Sequence, residues 1–398
     1  MSIEQVLKLS SAFSPSAPID QATLFSGRIG QLTDVLNALN QKGQHAILFG
    51  ERGVGKTSLA RVLSRGFLID GKPLPTATIN CDPTMTFSGL WKKLLREVPI
   101  NFQRQPAGFT GAAEVSQASL ADYLPDPVTP DDVRHLLSKM GKILLVIDEL
   151  DRIEDPSVAS LLADTIKTLS DHAVDATVLL VGVADSVDTL INEHQSVERA
   201  LVQVRMPRMS RIELFQIIDK GLSQAGMTSD TDARLKIAAL SQGLPHYTHL
   251  LAQNAGQRAA GNDRTVVTIE DVRTAIDNAL AKAQQSTVNA YHKATNSPRD
   301  NLYPQVLLAC AMAKQDALGY FAAVDVRQPL CDIMGRAYDI PAFSQHLNKF
   351  CEISRGPVLQ RTGTARRFRF RFVNPLLQPY VLMDGIRKSL ISEAAIIG

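Results

Sequence analysis

Cysteine is scarce in this chain and has no pattern. Cys81, Cys310, Cys331 and Cys351 form no C-x-x-C pair, which excludes the common zinc and dithiol motifs and fits reduced cytosolic thiols. Long apolar runs are missing too. No stretch approaches the ~20 residues of a membrane helix, so no membrane partner is expected. The opening MSIEQVLKLSSAFSPSAPID lacks a basic region followed by an apolar one, so no secretory leader is expected and the protein reads as cytoplasmic. There is neither an internal repeat nor a low-complexity tract, which excludes solenoids and biased linkers. Net charge is nearly absent, +2 over 398 residues.

That small total conceals an uneven distribution. Residues 288–398 hold 14 Lys and Arg against 8 Asp and Glu, leaving 28 against 32 in residues 1–287. A basic end on a near-neutral body points to a polyanion partner for that end.

With 45% hydrophobic and 21% charged residues, the composition is that of an ordinary globular chain, and its length suits roughly two or three domains. Residues 1–20 are rich in Ser and Pro and read as an extension draped over the surface. RIGQLTDVLNALNQKG then has Leu32, Val35, Leu36 and Leu39 at helical spacing. HAILFG (45–50), TATINCD (76–82), KILLVIDELD (142–151), ATVLLVGVAD (176–185) and ALVQVRM (200–206) read as buried strands alternating with helices. That alternation predicts a doubly wound α/β unit with a parallel sheet over residues 21–208. Residues 99–132 read as a long polar loop, mobile or disordered. Four helices follow over 209–287, with Thr268 and Asp271 at N-cap spacing, and residues 286–301 read as a polar hinge. Residues 288–398 give three helices and then two strands, GPVLQRTG and ARRFRFRFV.

GERGVGKT, followed by Ser58, fits G-x-x-x-x-G-K-[ST] between a strand and a helix. Gly50, Glu51, Arg52, Gly53, Val54, Gly55, Lys56, Thr57 and Ser58 are therefore the expected phosphate-binding residues. Glycines let successive backbone N–H groups turn around an anion at a helix N-terminus. Lys56 is expected on the β- and γ-phosphates and Thr57 on Mg²⁺. The apolar run ILLVIDE puts Asp148 and Glu149 at the C-terminal edge of a strand, where open α/β sheets hold ligands. Asp148 is expected to bind Mg²⁺ through its water shell, and Glu149 to act as general base on the attacking water. The cofactors are thus ATP and Mg²⁺.

Together LFSGR (24–28), GERGVGKT, LLVIDELD, LLVGVADSVD and SVERALVQVRMPRMS resemble AAA+ ATPases, nearest to the origin-recognition type and the related STAND signalling ATPases, over about residues 20–285. The resemblance implies a P-loop core, a helical lid and ATP hydrolysis at the junctions of a homo-oligomer. It places Asp185 where the family has a polar sensor, usually Asn or Thr. An anion there repels a γ-phosphate unless it contacts water or metal. Arg199 matches the arginine finger that reaches a neighbour's nucleotide, the alternative being a surface arginine paired to Glu198 or Asp188. In the lid, GLPHY replaces the usual sensor arginine and resembles the STAND G-x-P. Pro245 and His246 then face the nucleotide, unless His246 is only a buried structural residue.

Three helices and a hairpin at the basic end match the winged helix that origin-recognition ATPases also carry. In RRFRFRFV, side chains alternate, so Phe368, Phe370 and Phe372 are expected on the helices. Arg367, Arg369 and Arg371, with Arg361 and Arg366 nearby, are expected on duplex DNA phosphates. A docking face for another subunit is the alternative. Gln345, Asn348 and Lys349 offer little base reading. Two functions remain open: a DNA-engaging ATPase switch, and a STAND-type switch that regulates a partner effector protein without DNA.

Overall fold

The computed structural model describes residues 3–15, 27–66, 68–69, 72–104, 114–183, 195–297, 301–364 and 367–397. Five strands make one parallel sheet: β1 (His45–Phe49), β2 (Thr76–Asn80), β3 (Ile143–Asp148), β4 (Ala176–Gly182) and β5 (Leu201–Arg205), in the order β2-β3-β4-β1-β5. Alternate residues of the central strands β1, β3 and β4 feed two cores, whereas the edge strand β2 adds only Ala77 and Ile79 to one of them. Ile47, Leu145, Ile147 and Leu180 face one layer with Trp91, Val133 and Leu162. Ala46, Leu48, Leu144, Val146 and Leu179 face the other with Val35, Leu59 and Leu63. Apolar side chains in both directions explain why β1, β3 and β4 read as unbroken hydrophobic runs.

Helices α1 (Ile3–Ala12), α2 (Ile29–Leu39), α3 (Lys56–Gly66), α4 (Phe87–Arg96), α5 (Pro130–Leu137) and α6 (Pro156–Asp171) precede the lid. Helix α1 corrects the reading of a draped extension. Leu9 and Phe13 are buried in the lid's core, on surfaces left bare by two glycines. A Cβ on Gly221 would lie 2.3 Å from the Phe13 ring, and one on Gly256 2.9 Å from Leu9 Cδ2. The supposed loop 99–132 is also partly ordered. Pro99–Arg104 pairs antiparallel with Glu114–Ser119, and Thr129 with Asp132 closes a capping box on α5.

The lid is α7 (Arg211–Gln224), α8 (Thr231–Ser241), α9 (Pro245–Gly261) and α10 (Ile269–Ala281). At the start of α10, Asp271 accepts from the Thr268 backbone N–H at 2.9 Å, in keeping with the expected cap. The expected hinge after it is largely helix, α11 (Gln285–Thr295). Thr287, Tyr291 and Ala294 supply its buried stripe, a helical spacing hidden among polar neighbours. Then come α12 (Tyr303–Met312), β6 (Phe321–Ala322), α13 (Ala323–Met334), α14 (Ile340–Lys349), β7 (Leu359–Thr362), β8 (Arg369–Phe372), α15 (Leu377–Arg387) and α16 (Ala394–Ile397). Strand β8 is the middle of a three-stranded antiparallel sheet, β6-β8-β7. The lid and this C-terminal unit share one continuous apolar core.

Candidate nucleotide site

Between β1 and α3 the chain must turn tightly. Gly50 has no room for a side chain, since a Cβ would lie 2.3 Å from the Met206 carbonyl. Gly53 (φ 83°) and Gly55 (φ 95°) adopt left-handed backbone that L-residues avoid. The result is a cradle at the N-terminus of α3, which carries the helix's partial positive charge. Lys56 lies inside it, with Nζ donating to the carbonyls of Gly50 at 2.9 Å and Glu51 at 2.7 Å. Burial brings its ammonium down to about 8. Arg28 braces the loop from behind, donating to the carbonyls of Val54 (3.3 Å) and Pro207.

Asp148 and Glu149 end β3 beside this cradle. Asp148 is buried, and burial raises its carboxyl above the usual range, opposed by hydrogen bonds from the Thr57 hydroxyl and the Glu149 N–H. The second of these measures 2.7 Å. Glu149 has left-handed backbone (φ 57°, ψ 40°), a strain of roughly 1–2 kcal/mol for a residue with a Cβ. Its Oε2 accepts from Arg152 Nη1 at 2.8 Å. Asp151 is paired to Arg52 at 2.9 Å. A glycine cradle, one ammonium and a hydroxyl–carboxylate pair are the donor set that a triphosphate with a hard divalent cation requires. The residues fit ATP and Mg²⁺.

The family description that matches residues 25–181 is AAA ATPase domain. This chain carries an AAA ATPase domain. Its parallel sheet and helices have the AAA+ P-loop fold, and two solved structures are similar at low identity. The Aeropyrum pernix ORC2 protein is 15% identical with a TM-score of 0.52, covering 96% of this chain and 98% of that one. The Walker-type ATPase PABY2304 of Pyrococcus abyssi is 14% identical with a TM-score of 0.51, covering 92% and 98%. No curated protein matches the sequence.

The remaining expected residues are spread around the AAA domain. Pro245 starts α9 against the cradle, 3.8 Å from where a Gly55 Cβ would be. His246 is partly buried, and its Nδ1 is 2.6 Å from the Pro15 carbonyl; burial lowers its pKa. It therefore engages the N-terminal segment. Asp185 and Arg366 lie outside the described residues. Arg199 is exposed at the start of β5, where its carbonyl accepts from Gln44 Nε2 at 3.1 Å. That edge is opposite the cradle, about 16 Å away by the length of β1, so Arg199 cannot serve its own chain's phosphates.

The four described basic residues of the hairpin do not form one stripe. Phe370 and Phe372 are buried as alternation requires. Arg361, however, stands directly opposite Phe370 in the β7–β8 register, and directly opposed residues share a face. It lies on the phenylalanine side, 4.2 Å over the Phe368 ring, and donates to Asn348 Oδ1 of α14 at 2.8 Å. Arg369 and Arg371 face the other way. Arg369 pairs with Asp316 at 3.1 Å. Arg371 donates to Gln360 at 3.0 Å and borders a cleft of about 550 Å³ shared with Gly50, Arg52 and Asp151. Arg367 is exposed near α14.

Arg152, Arg208, Arg28 and Gln378 escape a sequence reading. Arg28 and Arg208 fall inside the motifs LFSGR and SVERALVQVRMPRMS, which assign neither a role. Arg208 and Gln378 meet their partners only through long-range folding, whereas Arg152 reaches Glu149 three residues back.

Proposed function

We propose that this protein is a Mg²⁺-dependent ATPase switch that assembles with copies of itself and engages duplex DNA through its C-terminal unit, read as a winged helix. The observation that carries the ATP reading is the cradle with Lys56 at its centre and the Thr57–Asp148 pair beside it. Mg²⁺ at Thr57 and Asp148 would neutralise charge on the β- and γ-phosphates. Lys56 exchanges the Gly50 and Glu51 carbonyls for phosphate oxygens. Glu149 leaves Arg152 to take the proton of the attacking water. Pro245 closes the lid side of the cradle. An ATPase assay on purified protein, with and without Mg²⁺ and duplex DNA, tests the reading. No ATP binding in the presence of Mg²⁺ would end it.

Arg199 is proposed as the residue that one copy lends to its neighbour, since its own cradle is out of reach. Turnover should then rise more steeply than linearly with protein concentration, and Arg199→Ala should remove that rise while sparing nucleotide affinity. Light scattering with a non-hydrolysable ATP analogue provides the assembly readout. A monomer that is fully active refutes the assignment.

For DNA, the face made by α14 with Arg361 and Arg367 is favoured over Arg369, which is held by Asp316, and Arg371, which borders the cleft shared with the AAA domain. Asn348 is engaged by Arg361, and Lys349 by Glu352 at 2.9 Å, so phosphate contacts should outweigh base reading. Each arginine on a phosphate adds about 0.9 to the slope of log affinity against log salt. The Arg361→Ala, Arg367→Ala double variant should flatten that slope by about 1.8, and Arg371→Ala should leave it unchanged. The reverse ranking would move the DNA face to the other side of the hairpin.

A further inference from the structure

The side chain of Glu51, the second residue of the phosphate loop, is buried at the back of the site. Arg208, between β5 and the lid, grips its carboxylate with both arms of the guanidinium, Nε to Oε2 at 2.5 Å and Nη2 to Oε1 at 3.1 Å. The turn before β6 lies directly over it: a Cβ on Gly319 would be 1.8 Å from Glu51 Oε1. The third arm of Arg208, Nη1, donates to the Gln242 carbonyl of the lid at 3.2 Å and to Gln378 Oε1 of α15 at 2.6 Å. Gln378 is itself buried, and its Nε2 donates to Ala311 O at 2.7 Å and Gln242 Oε1 at 3.1 Å.

We infer that Glu51 and Arg208 are positioning residues for nucleotide binding, through which Gln378 of the C-terminal unit sets the conformation of the phosphate loop. The inference rests on the ATP reading above. Its basis is that one residue has two tethers. The Glu51 carbonyl holds the Lys56 ammonium, and the Glu51 carboxylate is held by Arg208. Moving the carboxylate moves the carbonyl, and with it the group that meets the phosphates. A planar, bidentate guanidinium–carboxylate pair fixes orientation as well as distance. Out of solvent, it cannot be exchanged for water without leaving a charge unpaired. A second contact works in the same direction. Leu376, at the N-terminus of α15, packs at Gly53, and its carbonyl accepts from the Tyr247 hydroxyl of the lid at 2.9 Å. Seating of α15 and the shape of the loop are thus two descriptions of one arrangement. Coupling of this kind is reciprocal: if α15 favours the ATP-ready loop, ATP must favour the seated α15 by the same factor.

Gln378→Leu removes the acceptor from Arg208 without touching the loop or the AAA domain. ATP·Mg²⁺ binding measured by calorimetry should weaken about 10- to 100-fold, the range for an acceptor lost from a charged donor. KM should rise with kcat held within about twofold, as for a lost uniform binding term. In the wild type, a non-hydrolysable ATP analogue should slow hydrogen exchange over residues 316–320 and 374–385, and in Gln378→Leu it should not. Glu51→Gln and Arg208→Lys should reproduce the affinity loss, and circular dichroism identifies any variant that fails to fold. A folded Gln378→Leu protein with wild-type affinity overturns the inference, as does wild-type exchange at 374–385 that ignores the analogue. Wild-type protein that binds no ATP overturns the nucleotide reading and this inference with it. Normal wild-type binding with indifferent variants overturns this inference alone.

Discussion

Lys56→Ala is expected to weaken ATP binding by roughly 30- to 4000-fold, the equivalent of about 2–5 kcal/mol for removing one partner of a buried, hydrogen-bonded charge pair. The lysine lies within the loop, drawn inward by the Gly50 and Glu51 carbonyls. Binding therefore exchanges acceptors and requires no long movement of the side chain. The same burial gives the site a pH signature. In the free protein the ammonium titrates at about 8, and bound phosphate anions favour its charged form. Below that value the group is already protonated and affinity is flat. Above it, binding must draw in a proton, so affinity falls as pH rises through about 8, by up to roughly tenfold per unit. Calorimetry in buffers of different ionisation heat reads the uptake directly. Affinity that is constant between about pH 7 and 9.5 would show that Lys56 does not carry the phosphate charge.

Glu149→Gln should retain ATP and lose about 10²- to 10⁴-fold in turnover, the range for a missing general base. The left-handed backbone at Glu149 turns the chain sharply at the end of β3, and the carboxylate rests on Arg152. For Glu149 to act as a base on water, that contact would have to break. Both partners are substantially solvent-exposed, where such a pair is worth at most about 1 kcal/mol. Arg152→Gln should accordingly raise basal turnover by up to about fivefold. Single-turnover hydrolysis at saturating ATP separates these effects from binding. Wild-type rates in Glu149→Gln would move the base to another residue, and a slower Arg152→Gln enzyme would show that Arg152 assists the chemistry.

What was legible in the sequence is what the chain writes contiguously. The cradle needs three glycines and a lysine within eight positions, and β3 needs an apolar run ending in acids, so local pattern suffices for both. The three central strands β1, β3 and β4 were legible because each is buried on both faces, and the edge strands β2 and β5 because they intersperse buried with exposed positions. The Glu51–Arg208 pair is 157 residues apart and Arg208–Gln378 170 apart, and no local periodicity encodes such pairings. Helix α15 was missed because its buried face includes Gln378 and Asp384, polar residues whose partners exist only in the fold. The hairpin shows a subtler limit. Alternation correctly separated Phe370 and Phe372 from Arg369 and Arg371, but the face that Arg361 takes depends on cross-strand register, which the β7–β8 connection sets. Docking of α1 left its sequence signal in the lid, at Gly221 and Gly256, where a missing side chain reads as a weak helix position.

Helix α1 precedes the AAA domain in the chain yet belongs to the lid in space. The lid is therefore joined to the nucleotide-binding sheet by two separate spans of polypeptide, one running from Phe13 to Arg28 and the other from Met206 to Ser210. A body suspended from a single strand can swivel about any axis. Suspended from two, it turns about the line between its attachments, as a door turns on its pins. Because the C-terminal unit shares the lid's core, a turn of the lid about that line would carry α15 with it, toward or away from the phosphate loop.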